Sequence, residues 1–155
     1  MGDLGKVVKF ISCRGIKAEV MYFKSKVTSV RTASKASGFP EEKILKTLIV
    51  LGDNKPYAVI LPGERKLDFE KLRDKIGVRE CRLATPREVE EITGFRPGEV
   101  SPLTEEVGKL TLLIDSSALG RGEVLVGGGS NYALVKISVD ELVKTLNPLV
   151  VDVSY

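Results

Sequence analysis

At 155 residues, 43% of them hydrophobic, the chain has the length of one ordinary domain and enough apolar content for a core. Its 24 basic and 21 acidic residues leave a net charge of only +3, which argues against a polycation that coats nucleic acid by charge alone. Histidine is absent, and Cys13 and Cys81 form no Cys-x-x-Cys pair. The usual general base and the histidine-dependent triads are therefore removed, and neither a structural zinc nor a disulfide framework is expected.

The N-terminal run "MGDLGKVVKFISCRGIK" lacks a long apolar stretch, so no signal peptide is expected there, and no segment approaches the length of a membrane span. A cytoplasmic protein that meets no membrane is the expectation. Leu4, Val7, Val8 and Ile11 follow helical spacing and predict a short first helix. "AEVMYF" (18–23) reads as a strand. Ser29 then caps a helix that Gly38 stops near Ser37. A turn at Pro40 to Glu42 leads into a strand from Ile44 to Leu51, which "GDNKP" joins to "YAVILP" as a hairpin.

Asp68 caps a helix carrying Phe69, Leu72 and Ile76 on one face, with Gly77 at its end. "VRECRLA" (78–84) is read as a strand. Thr85, Pro86 and Glu88 form a capping box for a helix that stops at Gly94. After a loop come "KLTLLID", "GEVLVGGG" and "YALVKI" as strands. Ser138 with Glu141 predicts a second capping box for the closing helix, which ends before Pro148. Helices mixed with runs of neighbouring strands indicate an α+β fold, in one domain over 1–155, rather than a regular βαβ wind.

Three stretches stand out chemically. Lys46 interrupts a strand whose face it shares with Ile44, Leu48 and Val50, so its ammonium either snorkels to water or lines a cleft and meets an anion. "TGFRPGEVSP" (93–102) is a loop of dictated shape. Gly94 fits a helix stop and Gly98 a type II turn after Pro97, yet the loop is long enough to present main-chain N–H groups to a ligand. "VLVGGGSNYALVKI" carries three glycines where a hairpin needs one or two, which suggests either a turn or bulge or something approaching the backbone closely. No Gly-Lys-Ser/Thr follows, so it is not a Walker loop.

In this order and spacing, Lys-Thr-Leu at 46–48, "TGFRPGEVSP" and the late glycines resemble the YbaK/prolyl-tRNA synthetase-associated editing domain, over roughly residues 18–146. The resemblance implies a mixed, mostly antiparallel, partly closed barrel-like sheet with surrounding helices. It also implies a freestanding trans-editing hydrolase that cleaves the ester between a wrongly attached amino acid and tRNA. Lys46 corresponds to the family's hallmark lysine, Gly98 to its loop glycine, and Ser101 and Pro102 to the Ser-Pro that follows. Lys46, Gly98 and Ser101 are thus the expected catalytic residues. Thr47, Pro102, Gly127, Gly128, Gly129 and Ser130 are the expected substrate-binding ones.

With no histidine and no evident metal, a positioned water and oxyanion stabilisation by main-chain N–H groups would carry the reaction, without a cofactor. A terminal ribose hydroxyl or a side-chain thiol of the substrate would act as base. The aminoacylated 3′ end of tRNA is the expected partner and prolyl-tRNA synthetase a further one, with DNA not expected. Cationic runs at 24–26, 31–35 and 64–75 are the candidate tRNA contacts, or else solvated surface. Many relatives carry a serine within the glycine cluster and a basic residue followed by glycine after it. Here the run is Gly127-Gly128-Gly129-Ser130-Asn131-Tyr132, which leaves cysteine, alanine or another small residue open as cargo. A non-catalytic tRNA-binding or synthetase-associated module is the alternative reading, and a small-molecule esterase or nucleotide-binding protein a third.

Overall fold

A computed structural model describes residues 4–155, so the first three positions of the 1–155 span lie outside the described residues. The helices are α1 (Leu4–Cys13), α2 (Val30–Ser37), α3 (Phe69–Ile76), α4 (Pro86–Thr93), α5 (Glu105–Gly108) and α6 (Val139–Leu146). The strands are β1 (Ala18–Tyr22), β2 (Leu45–Gly52), β3 (Lys55–Pro62), β4 (Cys81–Leu83), β5 (Thr111–Asp115), β6 (Glu123–Ser130), β7 (Ala133–Ser138) and β8 (Leu149–Val151).

Local chemistry explains most boundaries. Ser29 accepts the N–H of Thr32, Asp68 those of Glu70 and Lys71, and Thr85 that of Glu88. Gly38, Gly77 and Gly94 end their helices in the left-handed region. Between β2 and β3, Asp53 and Asn54 both have positive φ, 47° and 68°, the requirement of a two-residue type I′ hairpin.

Two expectations need correction. The strand read over 78–84 contracts to β4, because the Asp53 carboxylate takes the main-chain N–H groups of Arg79 and Glu80 that a ladder would otherwise use. Only half of the second capping box forms. Ser138 accepts the N–H of Glu141, but the Glu141 carboxylate turns to the N–H of Lys17, tying α6 to the approach to β1.

The strands form two sheets. An antiparallel three-stranded sheet runs β1-β7-β6. A mixed five-stranded sheet runs β4-β2-β3-β5-β8, antiparallel from β4 to β3 and parallel from β3 to β8. A parallel bridge between Ile44 and Leu125 joins them, so the wrap is partial. The α+β class with mostly antiparallel strands and surrounding helices is the one the sequence predicts.

The main core lies between the sheets, where Leu45, Ile49, Ala58 and Ile60 meet Val124, Val126, Val135 and Ile137 under α1. On the outer face of the larger sheet, Val50, Val59, Leu61 and Leu113 pack under Leu72 of α3. β3 is thus covered on both faces, which accounts for its unbroken run of apolar residues. A third cluster, Val27, Ala33, Ile44, Leu125 and Leu134, seats α2 on the smaller sheet. Its position decides where the chain leaves a hollow.

Candidate functional site

β4 pairs with β2 only at Val50 to Gly52, so residues 46–48 lie on an open edge of the larger sheet. A cleft of about 240 Å³ opens there. Lys46 and Thr47 contribute one wall, Thr28 to Val30 at the start of α2 a second, and Gly98, Val100, Gly127 and Leu134 the third.

Lys46 stands beside Leu48 on the α3 side of β2, half-buried. Its ammonium donates to the carbonyls of Arg65 (2.7 Å) and Gly63 (3.3 Å), in the turn after β3. Two of its three donors are therefore held by the protein itself, leaving one uncommitted among the described residues. The sequence reading set water or an anion against this charge and did not name these carbonyls. Burial pulls the Lys46 pKa below its ordinary value, the nearby Glu64 carboxylate opposes that, and Lys66 adds to it. Gly63 makes the turn possible. A Cβ there would lie 2.4 Å from a Val30 methyl and 3.0 Å from the Ile44 carbonyl.

Thr47 points to the opposite face of β2. Its Oγ1 is buried and has no hydrogen-bond partner among the described residues, as is true of Glu99 Oε2. Glu99 is only 2% exposed and stands between the cleft residues Gly98 and Val100. Buried polar atoms are nearly always paired, so both oxygens are sites for a bound water or ligand donor; Thr47 lines the cleft and Glu99 does not. Sequence reasoning named Thr47 and missed Glu99. Its signal in the sequence was an acidic residue set between the turn glycine Gly98 and the apolar Val100.

The glycine-bearing wall is shaped by close contact of main chain with main chain. Pro97 and Gly98 form the expected turn, with Gly98 at φ 86° and Glu99 N–H donating to the Arg96 carbonyl at 3.0 Å. A Cβ at Gly98 would meet the Thr28 carbonyl at 2.7 Å, and one at Gly127 the Val100 carbonyl at 2.2 Å. At Gly128 it would meet the Ala133 carbonyl at 2.6 Å. Gly129, at φ 77° in the bulge of β6, donates its N–H to the Glu99 carbonyl at 3.1 Å. What approaches the late glycines is thus the chain's own loop.

Of the nine expected site residues, Lys46, Thr47, Gly98 and Gly127 line the cleft. Ser101, Pro102, Gly128, Gly129 and Ser130 do not. Ser101 is fully buried, and its hydroxyl accepts the Leu103 N–H at 3.2 Å, a turn-building contact away from the cleft lining. The Ser130 hydroxyl likewise accepts the Tyr132 N–H. Gly129 N–H is already engaged, whereas the main-chain N–H groups of Gly98 and Val100 have no acceptor among the described residues. Cys13 is exposed on α1, and Cys81 donates to the Phe69 carbonyl with its thiol pKa raised by burial; neither lines the cleft.

Lys24, Lys26, Arg31 and Lys35 are exposed in the same segment that supplies Thr28 to Val30. The N-terminus of α2, with its positive dipole end, opens beside them.

The sequence profile described as the aminoacyl-tRNA editing domain matches residues 24–145. Curated relatives include the proline–tRNA ligases of Coprothermobacter proteolyticus, 29% identical over 74% of this chain, and of Fervidobacterium nodosum, 31% identical over 72%. This chain spans only 20% of the length of each. A crystal structure of a hypothetical protein is 34% identical with a TM-score of 0.90, covering 97% of this chain and 99% of its own. Another, described as a candidate trans-editing enzyme for prolyl tRNA synthetase, is 28% identical with a TM-score of 0.89, covering 100% and 99%.

Proposed function

The chain belongs to the aminoacyl-tRNA editing domain family, and on that premise we propose that it is a deacylase that removes a wrongly attached amino acid from tRNA(Pro), with alanine and cysteine as the first candidates. One editing domain, 1–155, acts in trans on the aminoacylated 3′ end. The observation that carries this reading is the convergence of Lys46, Thr47, Gly98 and Gly127 on one small cleft.

In this mechanism the third Lys46 N–H meets a phosphate or carbonyl oxygen of the terminal aminoacyl-adenosine, and Thr47 Oγ1 bonds a substrate polar group. Water attacks the ester carbonyl carbon. Its proton passes to the substrate's own base, either the neighbouring ribose hydroxyl, which gives up its own proton in turn, or the thiolate of a cysteinyl substrate, and from there a proton goes on to the leaving ribose oxygen. The resulting oxyanion is met by the free N–H groups of Gly98 and Val100, and the carbon–oxygen bond to the ribose breaks as that oxygen takes a proton. A preorganised donor of this kind typically contributes ~10²–10³ in rate. Ser101 has no part in this scheme, because its hydroxyl is buried in the loop.

The test is a panel of tRNA(Pro) charged with proline, alanine, cysteine or serine. The reading expects release of alanine or cysteine well above the uncatalysed rate, with prolyl-tRNA spared. Tight tRNA binding with no release from any member would favour a binding module, and turnover of free aminoacyl esters without tRNA would favour a simple esterase.

A further inference from the structure

Lysine has four rotatable side-chain bonds, so a lysine that acts from a fixed place needs something to fix it against the entropy of a free side chain. The two carbonyls that hold Lys46 belong to a turn, and turns move unless they are anchored. This one is pinned on both flanks by side chains distant in sequence. On one side, Arg121 donates to both Glu64 carboxylate oxygens (3.0 and 3.1 Å) and to the Glu42 carbonyl (2.8 Å), just before β2 begins.

On the other side, Arg65 Nε donates to Ser154 Oγ at 2.6 Å, and Ser154 Oγ donates to Asp115 Oδ2 at 2.8 Å. The guanidinium also stands 3.9 Å from Asp115 Oδ2. Lys66 and Tyr155 exchange main-chain hydrogen bonds beside this chain, locking the C-terminal segment against the turn.

Asp115 is the root of the arrangement. It is 1% exposed at the end of β5, and its carboxylate also accepts the N–H of Val153 (2.9 Å), the N–H of Ser117 (3.2 Å) and the Ser117 hydroxyl. A buried carboxylate is expensive unless fully hydrogen-bonded, and this one is, with its last link leading outward to the turn that cradles Lys46.

We propose that Asp115, Ser154 and Arg65 are positioning residues for Lys46: they fix the Arg65 carbonyl, and through it the direction in which the ammonium faces the cleft. The inference rests on the deacylase reading for its kinetic consequence, but its geometric claim stands apart from it.

A double-mutant cycle with an independent spectroscopic arm tests it. Arg65→Ala and Ser154→Ala are made in wild type and in Lys46→Ala, with Arg65→Lys as the conservative partner. Thermal melting checks folding in every variant. In wild type, each alanine variant should slow single-turnover deacylation about tenfold, and Arg65→Lys should restore part of the loss. In the Lys46→Ala background, the same changes should cost nothing further. Equal losses in both backgrounds would overturn the proposal, because damage to the fold at large would not depend on Lys46.

The second arm follows the ε-methylene signal of Lys46 by carbon-13 NMR in the absence of tRNA. It should show an ordered side chain in wild type and a mobile one in Arg65→Ala and Ser154→Ala. An unchanged signal would overturn the relay even with activity lost. If wild type releases no amino acid from any tRNA, the deacylase reading falls, and this arm alone decides the relay.

Discussion

Two of the cleft's walls are built on different physics. On the lysine wall, a charged side chain is aimed by hydrogen bonds to a turn, and that turn is anchored by Arg121–Glu64 on one flank and Asp115–Ser154–Arg65 on the other. On the glycine wall, no side chain does the aiming. Main chain lies so close to main chain, Gly98 to Thr28 and Gly127 to Val100, that a single added carbon would collide. The first wall determines where charge sits, and the second determines how much room is left beside it. Substitutions on the two should therefore fail in different ways.

The largest effect on the fold is expected at Gly127. An alanine there would place its Cβ 2.2 Å from the Val100 carbonyl, and backbone can only yield by moving the whole loop. Gly127→Ala should destabilise by about 3 kcal/mol, the upper end for overpacking, and lower the melting temperature by roughly 6–12 °C. Gly98→Ala should cost less, about 2 kcal/mol, from a strained φ and a contact with the Thr28 carbonyl. Calorimetry of both, beside Lys46→Ala, sharpens the contrast. The glycine variants should lose stability and activity together, whereas Lys46→Ala should lose activity with its melting temperature nearly unchanged. If Gly127→Ala melts like wild type, the glycine wall is not close-packed as described.

A smaller effect concerns pH on the lysine wall. Because burial lowers the Lys46 pKa from its ordinary 10.5, the ammonium loses its proton at a lower pH than an exposed lysine would. Binding of a non-hydrolysable aminoacyl-adenosine phosphate should be strong below that lowered pKa and weaken by roughly tenfold as pH rises through it, the scale of one charge-assisted hydrogen bond. Lys46→Ala should show no such step. Titration of binding by calorimetry checks this, and a step of equal size in the variant would assign it to another group.

The smallest effect lies away from both walls and serves as a control. Arg82, followed by the main-chain N–H of Thr85, holds the Glu88 carboxyl at about 2, well below its ordinary 4.5. A lowered carboxylate pKa adds stability that is complete above the unfolded value and disappears as pH falls through the folded one. Urea midpoints of wild type should therefore fall between pH 4.5 and about 2 more steeply than those of Glu88→Gln. Neither protein should differ in deacylation near neutral pH.

How much of this could be read from residues alone follows the range of the forces involved. Caps at Ser29, Asp68 and Thr85, left-handed stops at Gly38, Gly77 and Gly94, and the Asp53-Asn54 hairpin are local, each dictated by neighbours within a few positions. α5 and β8 were not foreseen, since four residues and three residues carry no periodicity to detect. At the site, Lys46, Gly98 and Gly127 were visible as chemically unusual residues, and they do converge. The lysine cradle was not visible, because its acceptors are carbonyls, which every residue possesses, and its anchors join Arg65 to Asp115 and Ser154 across the fold. Ser101 was named through the family resemblance; the loop closes over it and its hydroxyl accepts the Leu103 N–H, a placement set by the tertiary fold rather than by neighbouring residues.

The central claim is that the Lys46 ammonium, held at the mouth of the cleft, acts on an aminoacyl ester of tRNA. Single-turnover deacylation of alanyl- and cysteinyl-tRNA(Pro) by wild type and Lys46→Ala, with melting temperature and tRNA affinity measured on the same samples, tests it most directly. The account predicts that wild type releases the amino acid and that Lys46→Ala does so ~10²–10³ times more slowly while remaining folded and still binding tRNA. Release by Lys46→Ala at the wild-type rate would contradict it.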